Sequence, residues 1–175
     1  MIGQPNLPAG SATATVTVVD GTRIALGILR GCDGVVWIER GTPPSLGRWA
    51  LPGGRVEPGE EPLAAARREV QEETLLDVDD GRMLAVLEER FEDADGRHRY
   101  TVEVHAVLFD DPGGAPVPAD GVTAVHRGST APFPALEPDV RLARLEPGAE
   151  SHRIVARVRA DGDHARPREI GRAHV

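Results

Sequence analysis

At 175 residues and 18.7 kDa the chain is sized for one domain with a short appendage. All 20 basic residues are arginine, which excludes Schiff-base chemistry, a phosphate-cradling P-loop lysine and a kinase-type lysine. Residues 1–150 carry 14 Arg against 25 Asp and Glu, a net of −11, so the body repels a polyanion and duplex nucleic acid is not an expected partner. If this body binds phosphates, divalent cations must lie between.

The single Cys32 excludes an internal disulfide and C-x-x-C metal knuckles. No G-x-S-x-G elbow is present. The first thirty residues lack a basic start followed by a long apolar run, and no apolar stretch approaches the ~20 residues of a membrane span. With one free thiol, the expectation is a cytoplasmic protein that does not enter a membrane.

In chain order, Thr13 to Val19 alternates as a strand does, and Asp20-Gly21 turns into a second apolar run, Arg23 to Leu29. Asp33-Gly34 then predicts a hairpin into Val35 to Glu39. A Gly/Pro-rich loop covers Gly41 to Gly59. A helix is predicted from Glu60 or Glu61 to about Thr74, with Pro62 tolerated in its first turn. Strands follow at Arg82 to Phe91 and Arg97 to Phe109, joined by a turn at Ala94-Asp95-Gly96. In the second, Tyr100, Val102, Val104, Ala106 and Leu108 share one face. A loop from Asp110 to Gly121, a short strand Val122 to Val125 and a short helix Pro138 to Leu145 complete the pattern. Strands on both sides of one strong helix, with a second helix late, predict a mixed sheet sandwiched by helices.

Chemistry concentrates in the long helix. Glu69, Glu72 and Glu73 stand at i, i+3 and i+4, on one face. Leu63, Ala66 and Val70 form a neighbouring apolar stripe. Three crowded carboxylates gain nothing for a helix, but hard divalent cations, which take oxygen ligands, turn their repulsion into ligation. Taken alone, such a run is more often a solvated face. What distinguishes it is its spacing from the glycine loop: Gly54, five residues, Glu60, seven residues, then Arg68-Glu69-Val70-Gln71-Glu72-Glu73 and the aliphatic Leu76. This resembles the signature of the Nudix hydrolase family, and Trp49-Ala50-Leu51-Pro52-Gly53 is similar to its lead-in.

The resemblance covers Ala12 to about Leu145. It implies an α/β fold, a Nudix-type α/β/α sandwich with a mixed β-sheet. It also implies Mg²⁺ or Mn²⁺ dependence and hydrolysis of the pyrophosphate of a nucleoside diphosphate linked to another moiety, such as ADP-ribose. The implied partner is thus a small nucleotide derivative, and a homodimer is compatible. Glu69 and Glu73 correspond to the principal metal ligands, Glu72 shares a cation, and the Gly53 carbonyl occupies a ligand position. Arg68 resembles the orienting partner of the carboxylates, and Glu60 a brace for the loop through Arg68. One position departs: Leu75 stands where the family has a glycine that ends the helix with positive φ, so the helix is expected to end differently, near Asp77.

The resemblance leaves the general base open between Glu69 and a loop acid: Asp110, Asp111, Asp120, Glu137 or Asp139. Trp49 is a candidate for stacking a base or for packing; Trp37, Tyr100 and Phe109 fit strand packing. His98 and His105 fall on opposite strand faces and do not pair as ligands. Competing functions are a nucleotide-sugar sensor without catalysis, an isoprenoid diphosphate isomerase, for which Cys32 gives little support, and a cap hydrolase, for which no basic track exists.

From residue 146 on the pattern fades. Residues 151–175 carry 6 Arg against 3 acids and three of the six histidines, and are read as a tail without regular structure. Ile170 to Val175 resembles one translated frame of a sequencing-library adapter, so Glu169 to Val175 are read as adapter-derived; the alternative is a solvated basic tail.

Overall fold

The structure, a computed structural model, describes residues 21–43, 45–92, 95–148 and 152–159. The strand expected at Thr13 to Val19 and the adapter-like Glu169 to Val175 lie outside the described residues.

Ten elements follow in order: β1 (Thr22–Gly31), β2 (Gly34–Arg40), β3 (Trp49–Ala50), β4 (Gly53–Arg55), α1 (Pro62–Thr74), β5 (Arg82–Glu92), β6 (His98–Asp110), β7 (Val122–Gly128), α2 (Glu137–Ala143) and β8 (His152–Arg159). The main sheet path runs β3-β2-β1-β6-β5-β8, with β4 paired to β1 and β7 to β2. It is mixed: β1 runs parallel to β6, and β5 parallel to β8, while the remaining pairs are antiparallel.

The period-two pattern of the central strands explains the two layers. On β1, Ile24, Leu26 and Ile28 join the core beneath α2, and Ala25 and Leu29 join the core beneath α1. On β6, Val102, Val104, Ala106 and Leu108 face α2, with Tyr100 packed against them, as the alternation predicts. Val107 and Phe109 face α1, whose Ala65, Ala66 and Val70 are fully buried. Gly27 sits under Val70; a Cβ there would collide with the valine side chain, so glycine lets α1 approach the sheet.

Three expectations need correction. The Gly41 to Gly59 loop contains β3 and β4, too short to show an alternating pattern, which seat it against β2 and β1. α1 ends at Thr74, as its pattern predicts, and does not run on toward Asp77 as the missing glycine suggests; Leu75 itself takes the left-handed conformation at φ 56°, its N–H donating to the Gln71 carbonyl. Thr74 holds that turn from within, its hydroxyl donating to the Val70 carbonyl at 2.6 Å and accepting from Leu76 N–H at 3.3 Å. Finally, the segment read as an unstructured tail contains β8, which adds to β5 over Ala85↔His152 to Glu92↔Arg159. Ile154, Val155 and Val158 carry the β-branched signal there, obscured by interleaved arginines.

Candidate active site

The helix places its carboxylates where the sheet brings the glycine loop. Pro62 starts α1 with its fixed φ and no N–H to satisfy. About three turns carry the chain to Glu73, buried at 8% exposure beneath the β3–β4 loop. Its Oε2 accepts from Gly53 N–H at 2.8 Å. Gly54 lies against Glu69, and a Cβ at Gly54 would overlap that carboxylate. The first glycine is thus tied to one box carboxylate and the second is bare to admit another.

Arg68 gathers the rest. Its Nε and Nη2 donate to the two oxygens of Glu60, each at 3.0 Å. Nη1 donates to Glu69 Oε1 at 2.8 Å and to Glu72 Oε2 at 3.0 Å, and Nη2 also reaches the Arg55 carbonyl at 3.1 Å. The i,i+4 pair with Glu72 therefore exists, within a larger network that also contains the Glu60 brace. Glu60 in turn accepts from Glu57 N–H at 2.9 Å, closing the turn before α1.

The charges are set by these contacts. The hydrogen bonds from Arg68 hold the Glu60 carboxyl below its ordinary range, and Glu60 foremost holds the guanidinium above its own. Burial pushes Glu69 up; Arg68 opposes that, and the charges of Glu72 and Asp120 add to it. Burial pushes Glu73 up to about 8, with Gly53 N–H and Arg40 opposing and the charges of Glu69 and Asp120 adding. Half-buried Glu69, raised foremost by burial and further by Glu72 and Asp120, and buried Glu73, raised foremost by burial and further by Glu69 and Asp120, form an all-oxygen donor set of the kind that Mg²⁺ and Mn²⁺ take. As placed, no three His, Cys, Asp or Glu side chains among the described residues close around one metal position. Glu69 and Glu72 are turned toward Arg68 and Glu73 toward Gly53, so the fit lies in donor chemistry and charge and not in a closed cage.

The loop acids separate. Asp111 is paired with Arg127 Nε at 2.6 Å. Glu137 pairs with Arg141 one turn along α2. Asp139 is 2% exposed and accepts from Leu51 N–H at 2.9 Å. Asp110 lies exposed at the end of β6. Asp120 alone among them acts on the charge of both Glu69 and Glu73. Its backbone is at φ 33°, an uncommon conformation for a non-glycine residue. Amides on both sides hold it there: Ala119 N–H donates to the Glu73 carbonyl at 3.1 Å, and Gly41 N–H to the Gly121 carbonyl at 2.7 Å.

The aromatic residues mostly pack. Trp37 and Phe109 are buried and Tyr100 stacks on Phe91 with centroids 4.5 Å apart. Trp49 is half-buried against the α2-side core, with the His126 ring edge-on to it. His98 meets Thr101 and His105 meets Glu103, each within its own strand. Sequence reasoning missed Arg40, whose charge acts on Glu73; a lone arginine carries no spacing signal. Cys32 is exposed at the β1–β2 turn. No described helix is long and apolar enough to cross a membrane.

The same architecture recurs in solved structures. The MutT NUDIX hydrolase of Burkholderia pseudomallei superposes with a TM-score of 0.61 at 21% identity, over 73% of this chain and 98% of that one. A putative 8-oxo-dGTP diphosphatase 2 of Mycobacterium tuberculosis is 50% identical over 58 residues, 33% of this chain and 40% of that protein. Diphosphoinositol polyphosphate phosphohydrolase 2 of Rattus norvegicus is 44% identical over 66 residues, 36% of this chain and 35% of that protein. The matches thus span well under half the length of these curated relatives. The NUDIX domain profile, in contrast, matches residues 21–147, from the start of β1 past the end of α2. With that match, the Gly54-to-Glu73 spacing and the fold in agreement, the chain belongs to the NUDIX domain family.

Proposed function

We propose that the protein is a divalent-metal-dependent pyrophosphohydrolase acting on a nucleoside diphosphate linked to another moiety, ADP-ribose or a related nucleotide. The observation that carries this reading is the placement of Glu73 on Gly53 N–H and of Glu69 against Gly54, with Arg68 joining Glu69 to Glu72 and to Glu60.

Mg²⁺ or Mn²⁺ would be held by Glu69, Glu73, Glu72 and the Gly53 carbonyl, and when bound would neutralise the pyrophosphate and acidify a water. The chain's own residues do the rest. Arg68 orients Glu69 and Glu72 from their Arg-facing oxygens. Glu60 keeps Arg68 charged and in place, and fastens the loop to the start of α1. Glu69 and Asp120 are the candidates to accept the proton of the attacking water; Asp120 is preferred among the loop acids because its charge acts on both Glu69 and Glu73. No covalent enzyme intermediate is needed. The exposed free thiol of Cys32 suits a cytoplasmic setting.

The relatives named for 8-oxo-dGTP and for diphosphoinositol polyphosphates widen the substrates worth testing. Incubation with ADP-ribose, dinucleotides, nucleoside triphosphates and a diphosphoinositol polyphosphate, each with Mg²⁺ and followed by product analysis, tests the reading. Cleavage between two phosphorus atoms supports it. Tight binding without products would favour the nucleotide-sensor alternative. Glu69→Gln and Glu73→Gln are each expected to lower turnover by about 10²-fold or more. Mg²⁺-dependent rates equal to wild type in either variant would rule out the metal assignment.

A further inference from the structure

The segment Trp49–Gly53 is pinned from both layers of the sandwich. Trp49 N–H donates to the Pro134 carbonyl and Leu136 N–H to the Trp49 carbonyl, each at 2.8 Å. The Pro52 carbonyl accepts from Gly27 N–H at 2.8 Å. Pro52 has no N–H, so Leu51 and Gly53 supply the only backbone donors of the Leu51–Gly53 bend. Each is taken by a carboxylate from a different helix: Gly53 by Glu73 of α1, and Leu51 by Asp139 of α2.

Asp139 is among the most buried charged residues described, at 2% exposure. Burying a carboxylate is costly unless donors reach it, and any small polar side chain would serve merely to cap a short helix. What this carboxylate does is fasten α2 to the amide two residues before Gly53. We propose that Asp139 is a positioning residue. By holding Leu51 N–H it fixes the path of Leu51–Gly53, and with it the placement of the Gly53 carbonyl relative to Glu69 and Glu73. This rests on the reading that Gly53 and the α1 glutamates hold a divalent cation.

The test is Mn²⁺ binding to the full chain without nucleotide, followed by electron paramagnetic resonance of the free ion, for wild type, Asp139→Ala and Asp139→Asn. Asparagine keeps an acceptor for Leu51 N–H; alanine does not. Asp139→Ala is expected to weaken Mn²⁺ binding about tenfold or more, as loss of an outer-shell partner does, and Asp139→Asn to stay within about threefold of wild type. Turnover in the nucleotide assay should fall in the same order. A merely structural role would lower the thermal midpoint of Asp139→Ala and leave the Mn²⁺ affinity of the folded protein unmoved. Affinity within about twofold of wild type in folded Asp139→Ala, or equal losses in both variants, overturns the proposal. Should the alanine variant fail to fold, Asp139→Ser is read by the same criteria, and failure of that variant too counts against a role separable from stability. Absence of Mn²⁺ binding in wild type would instead overturn the cation reading itself.

Discussion

Glu73, proposed above as a metal ligand, carries a stability cost whose sign can be worked out. Its carboxyl sits at about 8 in the fold against an ordinary 4.5, because burial disfavours the charge. A raised carboxyl favours the fold while protonated. Its contribution is complete below about 4.5 and is lost as pH rises toward 8. Glu73→Gln cannot titrate and retains an oxygen for Gly53 N–H. In chelator, the variant should therefore match wild type in thermal midpoint at pH 5 and exceed it at pH 8, by on the order of 1 kcal/mol or more. Glu69 shifts in the same direction and Glu60 in the opposite one, so only the difference between variant and wild type isolates Glu73. Parallel midpoint curves for the two proteins across that range would contradict the argument. The glutamates were legible from their helical spacing, and Arg68 and Glu60 through the family resemblance. The bond between Leu51 and Asp139 was not: its partners are 88 residues apart, and nothing in either neighbourhood marks the pair.

Among the elements, α1 and the loop from Asp111 to Gly121 hold each other. Leu75 ends α1 in the left-handed conformation while its side chain is 55% exposed, so little packing compensates the backbone cost. Leu75→Gly is expected to stabilise the protein by about 0.5–1 kcal/mol in chemical denaturation, since glycine takes that conformation freely. A loss of stability would mean that the exposed leucine contributes contacts outweighing its backbone strain. The loop after β6 returns onto the same helix end: Val117 N–H donates to the Thr74 carbonyl at 2.9 Å, beside the Ala119 bond to Glu73. At the loop's base, Arg127 of β7 grips Asp111 through two nitrogens and donates to the Gly114 carbonyl at 2.8 Å. Asp111 is nearly buried, so Arg127→Ala strands its charge and should cost about 3 kcal/mol. The double variant Arg127→Met with Asp111→Leu should cost less than that single change, because no charge is left alone. A double variant as unstable as the sum of both single changes would show the pair to be energetically independent. The sequence showed this loop only as Pro- and Gly-rich; that its acids would divide between anchoring and the site depended on where β7 lay.

At the scale of the whole molecule, the sheet was legible where a strand alternates, as β6 does, or runs apolar, as β1 does, and illegible at its margin. Parallel pairing of β5 with β8 brings together segments separated by β6, β7 and α2, and no local turn announces it. Hydrogen bonds along such a ladder are worth about 0.5–1.5 kcal/mol each net, while ordering each residue costs about 1–2 kcal/mol. The two nearly cancel for a marginal strand, so removing β8 should change stability by no more than about 2 kcal/mol. The larger consequence is at the edge. Without β8, β5 presents unpaired amides and carbonyls along Ala85–Glu92, the template on which sheets add to one another. The β8 sequence carries Arg153, Arg157 and Arg159, and charge is the usual means of blunting an edge strand. Chains ending at residue 150 and at residue 160 differ by this strand. The shorter chain is expected to hydrolyse substrate at a similar rate per folded molecule, since no site residue lies in β8, but to self-associate at lower concentration in sedimentation velocity. Equal monomer content in the two chains would show that β5 does not depend on β8 to cover its edge. Equal behaviour of the 160-residue chain and the full chain would locate the effect in the strand and not in the residues beyond it.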